Sequence, residues 1–364
     1  MLTDSCLYKA LKKNQLIYFT KIKFFDKDYR IARLLMKNAL KSKEQIRKER
    51  KLVSDYWKCN SAHYIRYELF NKELTDEQLL DYIPPYYMYN YYNARLYSKI
   101  DRRIYENKFT LYKLFKDRGI PTPDIYAVVR NGIVQDSNGE IIEHQKFLEN
   151  FQTGDKIFFK PVSGKGGSGI VVLHKEKEGL RYLDKIIEFD ELLEHGFPKD
   201  IDFVVQKGIK QRVDFSEINN SSVNTLRIIV QFEGALPKIR VAVLRIGRGG
   251  KDVDNSHQGG ISVEINIKTG SLSDVAHAEH GGDKLYCHPD TGFRFRGTKI
   301  KAWDTICNEI LEYSKAFPEL EEFAWDVAVT DHGVQMIELN LEYGISHLQC
   351  CCGGMRQILN VYPI

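Results

Sequence analysis

No apolar run in this 364-residue chain approaches the roughly 20 residues a helix needs to span a bilayer, so an integral helical membrane protein is not expected. Met1 to Lys13 lack the apolar core and small-residue cleavage site of a secretory leader. The seven cysteines are odd in number and scattered as Cys6, Cys59, Cys287, Cys307 and the run Cys350 to Cys352. That spacing is neither a zinc site nor a disulfide framework. A soluble protein of the reducing cytoplasm is expected, long enough for two or three domains. A phosphate-binding P-loop pattern is also missing.

What is present begins with a charge asymmetry. The formal net charge is +4, but residues 1–103 hold 22 Lys and Arg against 12 Asp and Glu, leaving 31 against 37 in the remainder. A basic front points to an anionic partner such as a membrane surface, nucleic acid or a phosphorylated carrier, or else to a solvated helix surface. From Asp28 to Trp57 the apolar positions Ile31, Leu34, Leu35, Leu40 and Ile46 predict an amphipathic helix with a basic outer side. Thr75, with Gln78 three residues on, predicts a capped short helix ended by Pro84 and Pro85. The tyrosines at 86, 87, 89, 91 and 92 read first as aromatic packing between helices.

Lys108 to Gly119 reads as a helix, and Asp124 to Val129 as a strand. Next come a strand ending at Lys160-Pro161, the loop Ser163-Gly164-Lys165-Gly166-Gly167-Ser168-Gly169, and a second strand, Ile170 to Leu173. Gly164, Gly166 and Gly169 match G-x-G-x-x-G, but the dinucleotide reading requires a helix directly after the loop. Ile170 to Leu173 is a strand by composition, so that reading fails. A flexible glycine hairpin that folds backbone amides over phosphates remains, with Lys160 beside it to neutralise one. An ordinary glycine hairpin with an exposed lysine reads equally well here. Asp202 to Val205 begins a buried strand ending in Gln206-Lys207-Gly208-Ile209. Ser222 to Phe232, with Arg227, and Lys238 to Ile246, with Arg245, read as paired antiparallel strands.

Phe323 to Tyr343 reads as a hairpin. A three-residue loop, Asp331-His332-Gly333, would pair Thr330 with Val334 and set Asp326 opposite Glu338, with Met336, Glu338 and Asn340 on one face. Oxygen ligands on one face suit magnesium, which takes its remaining ligands from water and phosphate. Taken alone, the stretch reads more commonly as an edge hairpin with a solvated polar face.

The order of these motifs resembles the ATP-grasp superfamily over about Asn107 to His347. Asn107-Lys108 through Gly119-Ile-Pro-Thr-Pro resembles the stretch of D-alanine-D-alanine ligases whose lysine contacts nucleotide phosphates, and Lys160-Pro161 resembles the second phosphate lysine. Asn255-Ser-His257-Gln258-Gly-Gly is similar to a loop of the ribosomal-protein glutamate ligases. Ser222-Val-Asn-Thr-Leu-Arg227 and Gln335-Met-Ile-Glu-Leu-Asn340 most resemble the sugar-transfer-associated ATP-grasp proteins, thought to act in surface-polysaccharide synthesis. Gln206 departs from the acidic residue common at its position.

The resemblance implies a mixed α/β (α+β) ATP-grasp fold of two subdomains clasping ATP, residues 104–205 with the glycine loop and 206–364 with the metal site, after a helical basic region, 1–103. It implies ATP held by Lys108, Lys160, Ser163 to Ser168, Gln206, Lys207 and Ile209, and Mg2+, with Mn2+ as a substitute, held by Asp326, Glu338 and Asn340. Arg227, Arg245, Asn255 and His257 would serve catalysis. The implied reaction joins a small carboxylate, such as an amino acid, to an amine- or sugar-bearing acceptor through an acyl phosphate, at the inner face of the membrane if the acceptor is an anionic lipid-linked carrier. No nucleic acid is expected. A kinase acting on a hydroxyl and a non-catalytic nucleotide-binding protein are the alternatives.

Overall fold

The computed structural model describes residues 4–164, 166–255, 259–278 and 284–363, without the side chains of residues 4–13, 27 and 28. Lys165 and His257 lie outside the described residues.

Two seven-stranded antiparallel sheets carry the fold. The first comprises β1 (Ile125–Arg130), β2 (Ile133–Gln135), β3 (Lys156–Pro161), β4 (Val171–Lys175), β5 (Leu180–Tyr182), β6 (Lys185–Ile187) and β7 (Phe203–Lys207), in the order β2-β1-β7-β3-β4-β5-β6. The second comprises β8 (Thr225–Glu233), β9 (Leu236–Ile246), β10 (Ile261–Ile265), β11 (Leu272–Ala278), β12 (Lys284–Leu285), β13 (Glu322–Thr330) and β14 (Gly333–Asn340), in the order β12-β11-β10-β9-β8-β13-β14. Phe203, Val204 and Val205 form an unbroken apolar run because β7 lies between β1 and β3 and is buried. The predicted β3 and β4 pair directly, so the glycine loop does join strand to strand.

Each face of the second sheet is covered by different chain. On one face, Trp325, Val327 and Met336 pack with helix Trp303–Ser314 and with Leu111 and Phe115 of helix Lys108–Asp117. The rings of Phe115 and Trp325 lie 5.5 Å apart. On the other face, Ile229, Val241, Val243 and Ala324 share a core with Trp57, Tyr64, Phe70 and Met88, and with Leu348, Leu359 and Val361 near the C-terminus. The tyrosine cluster serves this packing: Tyr87 stacks on Tyr91 at 5.4 Å and meets Trp57 at 5.0 Å.

Two sequence expectations need correction. The single helix from Asp28 to Trp57 is two, Lys27–Leu35 and Lys43–Trp57, because Asp26 and Ser42 each cap a start, accepting from the amides of Tyr29 and Gln45 at 2.8 and 3.2 Å. Ile46 is buried as expected, but Ile31, Leu34, Leu35 and Leu40 are exposed, and Tyr29 and Ala32 face the protein instead. Within the hairpin, Thr330 pairs with Gly333 across a two-residue turn, and a bulge between Val327↔Met336 and Asp326↔Glu338 restores the expected pairing of the two carboxylates. The extra residue, Ile337, reverses the alternation. Met336 therefore joins the core while Glu338 and Asn340 line the cavity, so the three do not share one face.

Candidate active site

Lys108 opens its helix under an Asn107 cap, whose side chain accepts from Thr110 N at 2.9 Å. The Lys108 amide donates to Val162 O at 2.8 Å, and Asn107 bridges to Ser163, which ties the helix start to the base of the glycine loop. Nζ of Lys108 donates to Gly164 O at 3.0 Å and lies 3.5 Å from Glu338. Gly166, Gly167 and Gly169 have φ values of 73, 70 and 75°, the left-handed region that a Cβ disfavours, which is why this turn uses glycine.

Because Phe158 pairs with Gln206 across β3 and β7, the end of β3 brings Lys160 beside that glutamine. Lys160 Nζ donates to Gln206 Oε1 at 2.9 Å, and Gln206 Nε2 donates to Pro123 O at 3.1 Å. A glutamine thus accepts from the lysine without neutralising it. Burial pushes the Lys160 ammonium down to about 8, Glu338 opposing and the Lys108 charge adding to the shift.

The second sheet contributes a buried charge cluster. Arg227 on β8, Arg245 on β9 and Asp326 on β13 are each less than one-tenth exposed. Arg227 pairs with both Asp326 oxygens, through Nε and, at 3.0 Å, through Nη2, and donates from Nη1 to Tyr343 O at 3.1 Å. Arg245 reaches Asp326 Oδ2 at 3.1 Å and Asp254 Oδ1 at 3.3 Å. Asp254 also accepts from the amide and hydroxyl of Thr225, yet burial raises its carboxyl above the usual range, Arg245 opposing the shift.

These parts surround one cavity of about 380 Å³. Of the residues picked from the sequence, Lys108, Lys160, Gly164, Gly166, Gly167, Ser168, Gln206, Lys207, Ile209, Arg227, Arg245, Asn255, Asp326, Glu338 and Asn340 line it; Ser163 does not. The sequence reading missed Asp254, one residue before Asn255. It also missed Tyr89 and Glu106 from the first hundred or so residues, and Glu342 and His347 beyond Asn340, all of which line the cavity. Arg102 contacts both Glu106 and Glu342, at 3.1 and 2.5 Å.

A hard cation fits the donor set. A carboxylate offers about four lone-pair sites, and among the described residues the three contacts to Asp326 leave one on Oδ1. Glu338 borders the cavity, and among the described residues its ion pair is a 3.5 Å contact to Lys108. The Asn340 Nδ2 is buried with no hydrogen-bond partner among the described residues, so turning that amide to present Oδ1 sacrifices no bond to them on its nitrogen. Among the described residues no three His, Cys, Asp or Glu converge on a metal position by themselves.

The model of the sugar-transfer associated ATP-grasp family matches residues 87–360. The chain belongs to that family. The two sheets with a glycine loop and a carboxylate hairpin are thus an ATP-grasp fold, preceded by a mainly helical region. No curated protein matches the chain. Among solved structures it is similar to N5-carboxyaminoimidazole ribonucleotide synthetase in its ADP complex, with 13% identity over 68% of this chain and 52% of that one, at a TM-score of 0.36. It is similar to the D-alanine–D-alanine ligase of Bacillus anthracis, at 15% identity over 71% and 68% and a TM-score of 0.36. It is also similar to the ATP-grasp ligase PsnB complexed with minimal precursor, Mg and ADP, at 12% identity over 76% and 66% and a TM-score of 0.35. The chain spans about half the length of the first of these.

Proposed function

We propose that this ATP-grasp protein is an ATP-dependent ligase that activates a small carboxylate as an acyl phosphate and passes it to an amine, with a sugar-bearing acceptor favoured by the family's association with sugar transfer and by its resemblance to proteins of surface-polysaccharide synthesis. The observation that carries this reading is a cavity on which two lysines, a left-handed glycine turn, two acidic oxygen donors with an asparagine, and buried arginines converge. A carboxylate repels nucleophiles, so it would first take the γ-phosphoryl group from ATP, with ADP leaving, and that step brings two anions together before an amine can attack. Lys108 and Lys160 would hold phosphate oxygens, and Gly164, Gly166, Gly167 and Ser168 would cover them and exclude water. The segment Gln206, Lys207 and Ile209 would border the base. When bound at Asp326, Glu338 and Asn340, Mg2+, or Mn2+ in its place, supplies charge neutralisation for the phosphates. Arg227, turned wholly onto Asp326 and Tyr343, is better placed to hold Asp326 than to grip substrate. Arg245, shared between Asp326 and Asp254, is the better candidate for a substrate carboxylate or the γ-phosphate. Asn255, which lines the cavity, would face the acceptor; a catalytic role for His257 rests on the sequence alone.

Screening amino acids against amines and amino sugars for ADP release tests this. A ligase releases ADP and inorganic phosphate only when both partners are present. Release of ADP with a phosphorylated product from one acceptor would show a kinase, and saturable ATP binding without ADP release would show a nucleotide-binding protein.

The lysine assignment has its own consequence. Lys160→Ala is expected to weaken binding of a non-hydrolysable ATP analogue by about tenfold or more, the loss of roughly 1.4 kcal/mol, without lowering the melting temperature. The phosphate-binding form is the protonated one, and burial holds the ammonium at about 8. Wild-type affinity should therefore fall as pH rises from 7 to 9, and the variant should lose that fall. Unchanged affinity at pH 7 would make Lys160 a lysine of the rim alone.

A further inference from the structure

The helices Asp4–Phe25 and Lys27–Leu35 have apolar residues on two sides. In the first, Tyr18, Phe19 and Ile22 turn to the protein, while Leu16, Ile17, Phe24 and Phe25 are exposed. In the second, Tyr29 and Ala32 are buried, and Ile31, Leu34 and Leu35, at the i, i+3 and i+4 positions of the opposite side, are exposed. Leu40 follows in the connection. These side chains are well out of the protein: Phe25 is 82% exposed, Leu40 81%, Leu16 67% and Leu34 62%. Of the exposed large apolar residues in the described chain, no other stretch of this length holds as many. Such side chains gain about 25 cal/mol for each Å² withdrawn from water, and no part of the described chain covers them.

The same segment is strongly cationic. Between Asn14 and Lys43 there are eight Lys and Arg against two Asp. Lys21, Lys23, Arg30, Arg33, Lys37 and Lys43 are exposed, whereas Asp26 caps the second helix and pairs with Arg66 at 3.1 Å. A second copy of the chain seated on this face would bring like charges together. Leucine and phenylalanine interleaved with lysine and arginine match instead a helix lying in the plane of an anionic bilayer, the rings in the acyl boundary and the cations among headgroups. We propose that residues 16–40 are a docking surface for an anionic lipid bilayer. The inference rests on the surface alone and stands or falls apart from the ligase reading.

The test uses the full chain without nucleotide, sedimented with phosphatidylcholine vesicles with or without phosphatidylglycerol. Binding is expected only to the anionic vesicles and should weaken with added salt, since screening shortens to about 8 Å at physiological ionic strength. Phe25→Ser with Leu34→Ser, and separately Arg30→Glu with Arg33→Glu, should each raise the lipid needed for half-binding by roughly tenfold or more. Both pairs lie on the exposed side, and an unchanged melting temperature confirms the fold. Three results would overturn the proposal: wild-type protein left in the supernatant with anionic vesicles at low salt, binding that both pairs leave unchanged, or a dimer in light scattering that the Phe25 and Leu34 changes dissociate.

Discussion

Glu338→Gln is expected to abolish ATP turnover, by at least about a hundredfold, while leaving the fold intact. The carboxylate borders the cavity and its only described ion pair, with Lys108, spans 3.5 Å with both side chains partly exposed, a kind of contact worth about 0–1 kcal/mol. Little stability is therefore at stake, whereas a ligand charge for the nucleotide's cation is lost. The check pairs ADP release with the melting temperature. Turnover near the wild-type level would remove Glu338 from the site, and so would an unchanged dependence on Mg2+ concentration.

Asp326→Asn is expected to behave differently, although the sequence presents the two acids as equivalent partners across one hairpin. Asp326 is buried and balances two buried guanidinium groups, Arg227 through paired contacts and Arg245 at 3.1 Å. Removing one member of such a cluster leaves charge uncompensated in the interior and costs about 3–5 kcal/mol. The variant should lose activity and also unfold at clearly lower urea concentration. Asp326→Asn with Arg227→Met, which removes one of the stranded charges, should recover part of the stability and none of the activity. An Asp326→Asn midpoint equal to that of the wild type would show that the arginines do not depend on it.

That contrast marks what was legible in the chain. Strand and loop order could be read from composition, because β-branched runs and glycine clusters report local backbone preference. Thr75 with Gln78 gave a capping box that the structure contains. The pairing of Asp326 with Glu338 was also read correctly, but for an incorrect reason: a shorter turn and a bulge at Ile337 together give the pairing that a longer turn alone would give. Bulges leave no periodic signature, so the facing of Met336 came out reversed. Periodicity likewise found the apolar side of the stretch from Ile31 to Leu40 but not what it meets, since a 3.6-residue repeat is the same whether its stripe faces a core or an outside partner. Asp254 was invisible because its role depends on Thr225, remote in sequence, which the pairing of β8 with β9 sets beside Arg245.

The most direct test of the acyl-phosphate account follows the carboxylate oxygen. With the substrate pair found by ADP release, the carboxylate is supplied labelled with oxygen-18. On that account its oxygen would attack the γ-phosphorus, ADP would leave, the amine would attack the acyl carbon, and phosphate would depart carrying the former carboxylate oxygen. The account predicts one labelled oxygen in each inorganic phosphate formed. Unlabelled phosphate, with both labelled oxygens retained in the organic product, would contradict it.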